Sequence, residues 1–194
     1  MDKQVDTIIE FPLYVANKAT KTKQWLEVHH KYTGELYAKV ALADDKVLEK
    51  AISSAVKAEK EMAELKPFQK QKILLHCVRR FNELREQLVE LLIIEGGKPR
   101  AAANAEVERL INTFQTAADA VTQIENGRLI PLAITPAAGA FRGMVQHVPI
   151  GAVSLISPFN FPLNLVAHKI APALVAGNAV ILKPTSQAPL SAFK

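Results

Sequence analysis

The spacing of apolar residues predicts a small sheet in the first part of the chain. Between residues 7 and 42, short apolar runs alternate with turn signals, and the clearest turn lies at residues 32–35. The stretches on either side of it, residues 25–28 and 36–40, have the apolar and aromatic composition of strands. We expect these two stretches to pair as an antiparallel piece of sheet.

Three helices are predicted next, because apolar residues recur at three- and four-residue spacing. The first begins at the acidic pair at 44–45 and ends near Pro67. The second begins at Pro67, a residue suited to the first turn of a helix, and continues to the glycine pair at 96–97. The third covers about residues 100–125 and ends at an Asn-Gly pair.

The last third of the chain has extended and alternating patterns. Two extended segments with prolines, within residues 129–149, predict a hairpin or a pair of edge strands, since proline cannot donate to a central ladder. Apolar runs at 152–156 and 179–182 then flank an apolar helical segment at about 163–176, as in a buried parallel βαβ unit. Two parallel strands cannot cover both of their own faces, so the sequence is expected to stop inside an unfinished α/β domain.

Composition narrows the classes of function. With 49% hydrophobic and 22% charged residues, the 194-residue chain lies in the globular range. The most apolar stretch, residues 163–182, contains His168, Lys169 and Pro172, which would make insertion into a bilayer costly, so no membrane partner is expected. The net charge of +5 is spread among 19 acidic residues, which argues against nucleic acid as a partner.

The only cysteine, Cys77, excludes an internal disulfide and a cysteine-based metal cluster, and no metal site is expected. It lies on the apolar stripe of the second predicted helix, where a small core residue is a better interpretation than a nucleophile. The amino terminus lacks the basic start and long apolar core of a secretory signal. These features predict a cytoplasmic protein.

The segment Ser-Pro-Phe-Asn-Phe-Pro at residues 157–162 follows the first strand of the predicted βαβ unit. Ligands gather at the carboxyl ends of strands in open α/β sheets, so the amide of Asn160 is well placed for function. When the segment is taken alone, an asparagine that caps the next helix explains it about as well.

Further motifs give the sequence a specific resemblance. They are Pro-Ile-Gly at 149–151, Pro-Phe-Asn-Phe-Pro at 158–162, Ala-Pro-Ala-Leu at 171–174, Ala-Gly-Asn at 176–178, Leu-Lys-Pro at 182–184 and Pro-Leu at 189–190. In this order and spacing they resemble the aldehyde dehydrogenase superfamily, and Glu-Gly-Gly-Lys-Pro at 95–99 extends the resemblance upstream. One departure is Phe159, where many members carry tryptophan.

The resemblance implies an α/β, aldehyde dehydrogenase-like fold. Residues 1–128 would form amino-terminal strands and the helical part of the cofactor domain, residues 129–149 an oligomerisation-type hairpin, and residues 150–194 the first βαβ unit of an incomplete Rossmann-like domain. It implies the amino-terminal portion only, because the family's catalytic cysteine and glutamate lie further downstream. It also implies NAD or NADP as cofactor, a small-molecule aldehyde as substrate, and a homo-oligomer, either dimer or tetramer.

The resemblance also assigns roles within the central motif. Asn160 matches the asparagine whose side-chain amide donates to the oxyanion that forms when a cysteine thiolate attacks the aldehyde. Ser157, Pro158 and Phe159 would contact the cofactor, and Phe161 the substrate.

Four residues outside that motif complete the predicted site. Lys183 matches the lysine that reaches the adenosine ribose of the cofactor, and Ser186 stands where many NAD-dependent members carry a glutamate. The missing carboxylate lowers repulsion of a 2′-phosphate, so tolerance of NADP is expected. Arg109 and His168, each unremarkable alone, together offer a cation and a donor for the far end of a short anionic or hydroxylated aldehyde.

Two functions from different classes remain open. In the first, the chain is a fragment of an NAD(P)-dependent aldehyde dehydrogenase, and the 194 residues alone are inactive. In the second, it is a non-catalytic truncated product that uses residues 129–148 as an interaction or oligomerisation module.

Overall fold

The computed structural model describes residues 8–132 and 134–194. The first seven residues of the predicted segment 1–128 and Ala133 of the predicted hairpin lie outside the described residues. In chain order, the elements are β1 (Ile9–Phe11), β2 (Leu13–Val15), β3 (Lys18–Thr20), β4 (Trp25–His29), β5 (Leu36–Ala41), α1 (Asp45–Glu64), α2 (Pro67–Glu83), α3 (Arg85–Gly96), α4 (Arg100–Glu125), β6 (Arg128–Pro131), β7 (Arg142–Val145), β8 (Ala152–Ile156), α5 (Asn164–Val175) and β9 (Ala179–Lys183). Short 3₁₀ turns lie at Pro136–Ala138 and Leu190–Phe193.

β5 is the central strand of the amino-terminal sheet. β4 pairs with it antiparallel, which confirms the pairing predicted for residues 25–28 and 36–40, and β1 pairs with it parallel on the other edge. β2 and β3 form a separate antiparallel pair. Val28 and Val40 of the larger sheet pack against Leu91 of α3 and Leu190, so this sheet is joined to the helices and to the last turn of the chain.

The first predicted helix is confirmed as α1. A carboxylate oxygen of Asp44 accepts a hydrogen bond from the backbone N–H of Val47 at 2.8 Å, so the acidic pair caps the helix as its sequence indicates. The helix ends at Glu64, and Pro67 then opens α2.

The prediction of one helix from Pro67 to the glycine pair is wrong, because the chain forms α2 and α3 with a break at Leu84. Leu84 has a ψ of 6°, outside helical values. After the break, α3 buries residues on two sides. Leu88 and Leu92 pack into the helical core, while Leu91 packs against the amino-terminal sheet.

The third predicted helix is confirmed as α4, and it packs against α2, α3 and α5. Their shared core is formed by Leu74, Leu88, Val89, Leu92, Ala103, Val107, Leu110, Ile111, Phe114, Ala118, Val121, Leu163, Ala167, Ala171 and Val175. Cys77 packs against this core, and burial raises the pKa of its thiol above the ordinary value. A raised pKa keeps the nucleophilic thiolate scarce, in agreement with the interpretation of Cys77 as a core residue.

The predicted βαβ unit is confirmed. β8 and β9 pair in parallel, α5 forms the crossover between them, and both α1 and α5 pack on this two-stranded sheet. Upstream, β6 and β7 pair antiparallel, with Pro131 in the last pair of the ladder, as the proline pattern predicts. In the described part of the chain, every helix is too short or too polar to cross a membrane.

Candidate functional site

The carboxyl ends of β8 and β9 lie side by side and bring two predicted cofactor residues together. Ile156 pairs with Lys183 in the parallel register, and the backbone N–H of Ser157 donates to the carbonyl oxygen of Lys183 at 3.2 Å. The Lys183 side chain is exposed, and its ammonium donates to the carbonyl oxygen of Pro184 at 3.2 Å. Ser186 follows on the exposed surface beyond this edge.

Two buried side-chain oxygens flank the segment between β8 and α5. The hydroxyl of Ser157, a residue 5% exposed, has no hydrogen-bond partner among the described residues, and the same holds for the side-chain oxygen of Asn164, a residue 7% exposed. A buried polar atom without a partner costs free energy, typically about 1–3 kcal/mol.

Asn160 lies on an exposed bend between these two oxygens. Its side-chain amide makes no hydrogen bond with the described part of the chain, so the amide is free to donate to a ligand. Phe159 beside it is 58% exposed, whereas Pro162 is fully buried and restricts the backbone as the chain enters α5.

Two residues that the sequence analysis did not select contact this bend from the other side. The ammonium of Lys98 donates to the backbone carbonyl of Asn160 at 3.0 Å and lies 4.3 Å from the ring centroid of Phe161. Lys98 also pairs with the carboxylate of Glu106, whose side chain is 0% exposed. The other oxygen of Glu106 accepts from the backbone N–H groups of Leu163 and Asn164, at 3.0 and 3.1 Å.

A signal for Glu106 is present in the sequence. It falls on the apolar stripe of α4, between Ala103 and Leu110 at helical spacing, and a charged residue at such a position is buried only when it is paired. Lys98, its partner, lies in the 95–99 motif that carried part of the resemblance.

The predicted substrate residues meet at a groove between α4 and α5. Arg109 and His168 line the same groove, which has a volume of about 480 Å³. The guanidinium of Arg109 also lies 5.7 Å from the ring centroid of Phe161. The structure therefore brings Arg109, His168 and Phe161 into one neighbourhood. Asn160 lies next to Phe161 on the loop before α5. Lys183 is the last residue of β9, and Ser186 follows it.

Comparison with known proteins identifies the family. The profile of the aldehyde dehydrogenase family matches residues 17–194. The chain belongs to the aldehyde dehydrogenase family. This confirms the family that the motifs indicate.

Individual aldehyde dehydrogenases are similar to this chain in sequence and in fold. The 3-sulfolactaldehyde dehydrogenase of Priestia aryabhattai is 34% identical over 185 residues, which cover 95% of this chain and 38% of that protein. Aldehyde dehydrogenase 21 from Physcomitrella patens, in complex with the reaction product succinate, is 40% identical with a TM-score of 0.93, over 96% of this chain and 39% of its own. A glyceraldehyde-3-phosphate dehydrogenase from Methanocaldococcus jannaschii, complexed with NADP, is 34% identical with a TM-score of 0.80, over 88% of this chain and 36% of its own.

These comparisons confirm the predicted α/β, aldehyde dehydrogenase-like fold with a partial Rossmann-like domain. The chain spans well under half the length of each of these aldehyde dehydrogenases. The roles assigned to individual residues, and the division at residues 128 and 149, remain predictions.

Proposed function

We propose that the whole protein to which this chain belongs is an NAD(P)-dependent aldehyde dehydrogenase that oxidises an aldehyde to a carboxylate. The observation that carries the proposal is the amide of Asn160, which has no partner in the described chain and stands at the carboxyl end of β8. Two of the similar structures add support, since one contains the reaction product succinate and the other contains NADP.

In this proposal Asn160 stabilises the oxyanion that forms when a cysteine thiolate attacks the aldehyde carbonyl. One such donor contributes roughly 3 kcal/mol to stabilisation of the transition state. An amide suits this task because it donates a hydrogen bond without titrating. In this proposal the nucleophilic cysteine and the glutamate base come from other parts of the whole protein, and Cys77, which is packed against a helical core, is not the nucleophile.

The carboxyl ends of β8 and β9 form a surface suited to a nicotinamide cofactor. Ser157 and the exposed ammonium of Lys183 lie at the carboxyl ends of adjacent parallel strands, where dinucleotides bind in such sheets. The bound cofactor would supply the hydride acceptor. Lys183 would donate to the adenosine ribose or its 2′-phosphate, and Pro158 and Phe159 would contact the cofactor. Because Ser186 carries no negative charge, it would not repel the 2′-phosphate of NADP.

The groove between α4 and α5 supports a preference for small anionic or hydroxylated aldehydes. Arg109 offers a permanent cation from α4, and His168 offers a second donor from α5. Phe161, whose ring lies beneath Arg109, would contact the substrate carbon chain. Relatives that act on 3-sulfolactaldehyde and lactaldehyde, both short and polar, agree with this preference.

The β6–β7 pair supports a homo-oligomer, either dimer or tetramer, and the location we propose for it is the cytoplasm. The pair exposes Leu129 at 71%, Met144 at 66% and, in the connecting segment, Phe141 at 65%, and a two-stranded ladder leaves both of its edges free to pair. The same exposure favours a second candidate function, a non-catalytic interaction module.

The two candidates are separated by assaying the whole protein for aldehyde-dependent formation of NADH or NADPH, with the carboxylate product identified by mass spectrometry. The dehydrogenase proposal predicts equal amounts of reduced cofactor and acid. Assembly of the protein without any aldehyde oxidation would favour the interaction module.

A further inference from the structure

Glu106 is a fully buried carboxylate that contacts the end of the loop carrying Asn160 with one oxygen and Lys98 with the other. One oxygen accepts from the backbone N–H groups of Leu163 and Asn164, three and four residues after Asn160. The other is paired with Lys98. A buried charge is costly unless it is paired and hydrogen-bonded, and here both conditions are met.

Lys98 continues this contact to Asn160 itself. Its ammonium, on a side chain 15% exposed, donates to the Asn160 carbonyl and lies over the ring of Phe161. The two residues therefore hold the backbone at Asn160 and at Leu163 and Asn164. Glu106 belongs to the long helix α4, so the loop is attached to the rigid helical core.

We propose that Glu106, neutralised by Lys98, is a positioning residue for the side-chain amide of Asn160. The inference rests on the proposed aldehyde dehydrogenase function. An oxyanion donor acts only when it lies within about 2.7–3.1 Å of the developing charge, and an exposed bend does not hold such a geometry unaided. The Glu106–Lys98 pair restrains this bend through hydrogen bonds to its backbone, without touching substrate or cofactor.

The competing interpretation is structural, since Glu106 also caps the amino-terminal end of α5. The two interpretations differ in how Glu106 and Asn160 interact. If Glu106 only stabilises α5, its loss lowers activity whether or not Asn160 is present. If Glu106 positions Asn160, its loss has little further effect once the amide has been removed.

The test is a double-mutant cycle in the whole protein, measured as single-turnover hydride transfer together with the cofactor Kd. Glu106→Gln keeps the shape and one acceptor oxygen, and we expect it to slow hydride transfer by about 10- to 100-fold with little change in cofactor Kd. In the Asn160→Ala background the same substitution is expected to change the rate by less than about threefold. The combined Lys98→Met and Glu106→Gln variant removes both charges together, so it leaves no unpaired buried charge if the single variant folds poorly.

Glu108→Gln is the matched control. Glu108 lies on the same helix and also forms an ion pair, with Arg85 of α3 at 2.7 Å, but its side chain is exposed. It is expected to leave hydride transfer unchanged. Equal slowing by Glu106→Gln with and without Asn160, or no slowing at all, would overturn this inference and leave the proposed function intact. Absence of aldehyde oxidation by the wild-type protein would overturn both.

Discussion

The ammonium of Lys98 and the backbone carbonyl oxygen of Asn160 are 3.0 Å apart, although 62 positions separate them in the sequence. This hydrogen bond joins the turn before α4 to the loop that follows β8. This hydrogen bond therefore links the helical part of the chain to the candidate catalytic loop. A substitution in α4 can change the position of the loop through this link, without contacting a substrate.

The isolated 194-residue chain is expected to show no aldehyde oxidation, because its one cysteine is unsuited to act as the nucleophile. Burial raises the pKa of the Cys77 thiol, so little thiolate forms near neutral pH. The measurement is NADH or NADPH formation with several aldehydes. Turnover that disappears in Cys77→Ser would contradict both the packing of Cys77 and its exclusion from catalysis.

The stability of the chain is expected to depend on pH through Glu95. Burial raises the pKa of this carboxyl group above its ordinary value, while hydrogen bonds from Ser191 and Leu190 oppose the shift. The folded chain therefore holds the proton more tightly than the unfolded chain. The resulting stabilisation is complete below the unfolded pKa of about 4.3 and is lost as pH rises through the folded pKa.

Glu95→Gln removes this titration, so the variant should gain stability relative to wild type as pH rises from about 4 to 8. Urea unfolding of the chain at several pH values measures the difference. Glu86→Gln is the control, because Glu86 lies on the same helix with its side chain 75% exposed. A difference between Glu95→Gln and wild type that stays constant with pH would contradict the prediction.

The preference of the enzyme for anionic aldehydes is expected to depend on Arg109. In the whole protein, Arg109→Ala should lower kcat/KM for short anionic aldehydes by about 10- to 100-fold, the usual cost of losing one charged hydrogen bond, and affect neutral aldehydes much less. Arg79→Ala is the control, since Arg79 is an exposed arginine on α2. Equal losses for charged and neutral aldehydes, or a wild-type preference for long alkyl chains, would remove Arg109 from the substrate site.

The sequence predicts most of the fold because its helices and strands have strong local signals. The cap at Asp44 and the stripe of α4 are examples. The break at Leu84 is not predictable in this way, because the apolar spacing continues across it.

The candidate site is predictable in part. Motifs select Asn160, Lys183 and Ser186 as candidates, and the parallel βαβ pattern places the segments that carry them after the carboxyl ends of β8 and β9. The pairing of Lys98 with Glu106 is a tertiary contact, and local patterns do not report which distant residues meet. The charge of Glu106 on an apolar stripe predicts burial with a partner, but it does not name the partner.

The most direct measurement is the single-turnover rate of hydride transfer in Asn160→Ala of the whole protein, with cofactor Kd determined in parallel. The proposed role predicts a rate about 10²- to 10³-fold below wild type with cofactor affinity nearly unchanged, because the amide acts only on the oxyanion. Asn82→Ala, at an exposed asparagine on α2, should match wild type. Weakened cofactor binding with an intact rate of hydride transfer would instead show that Asn160 is a structural cap.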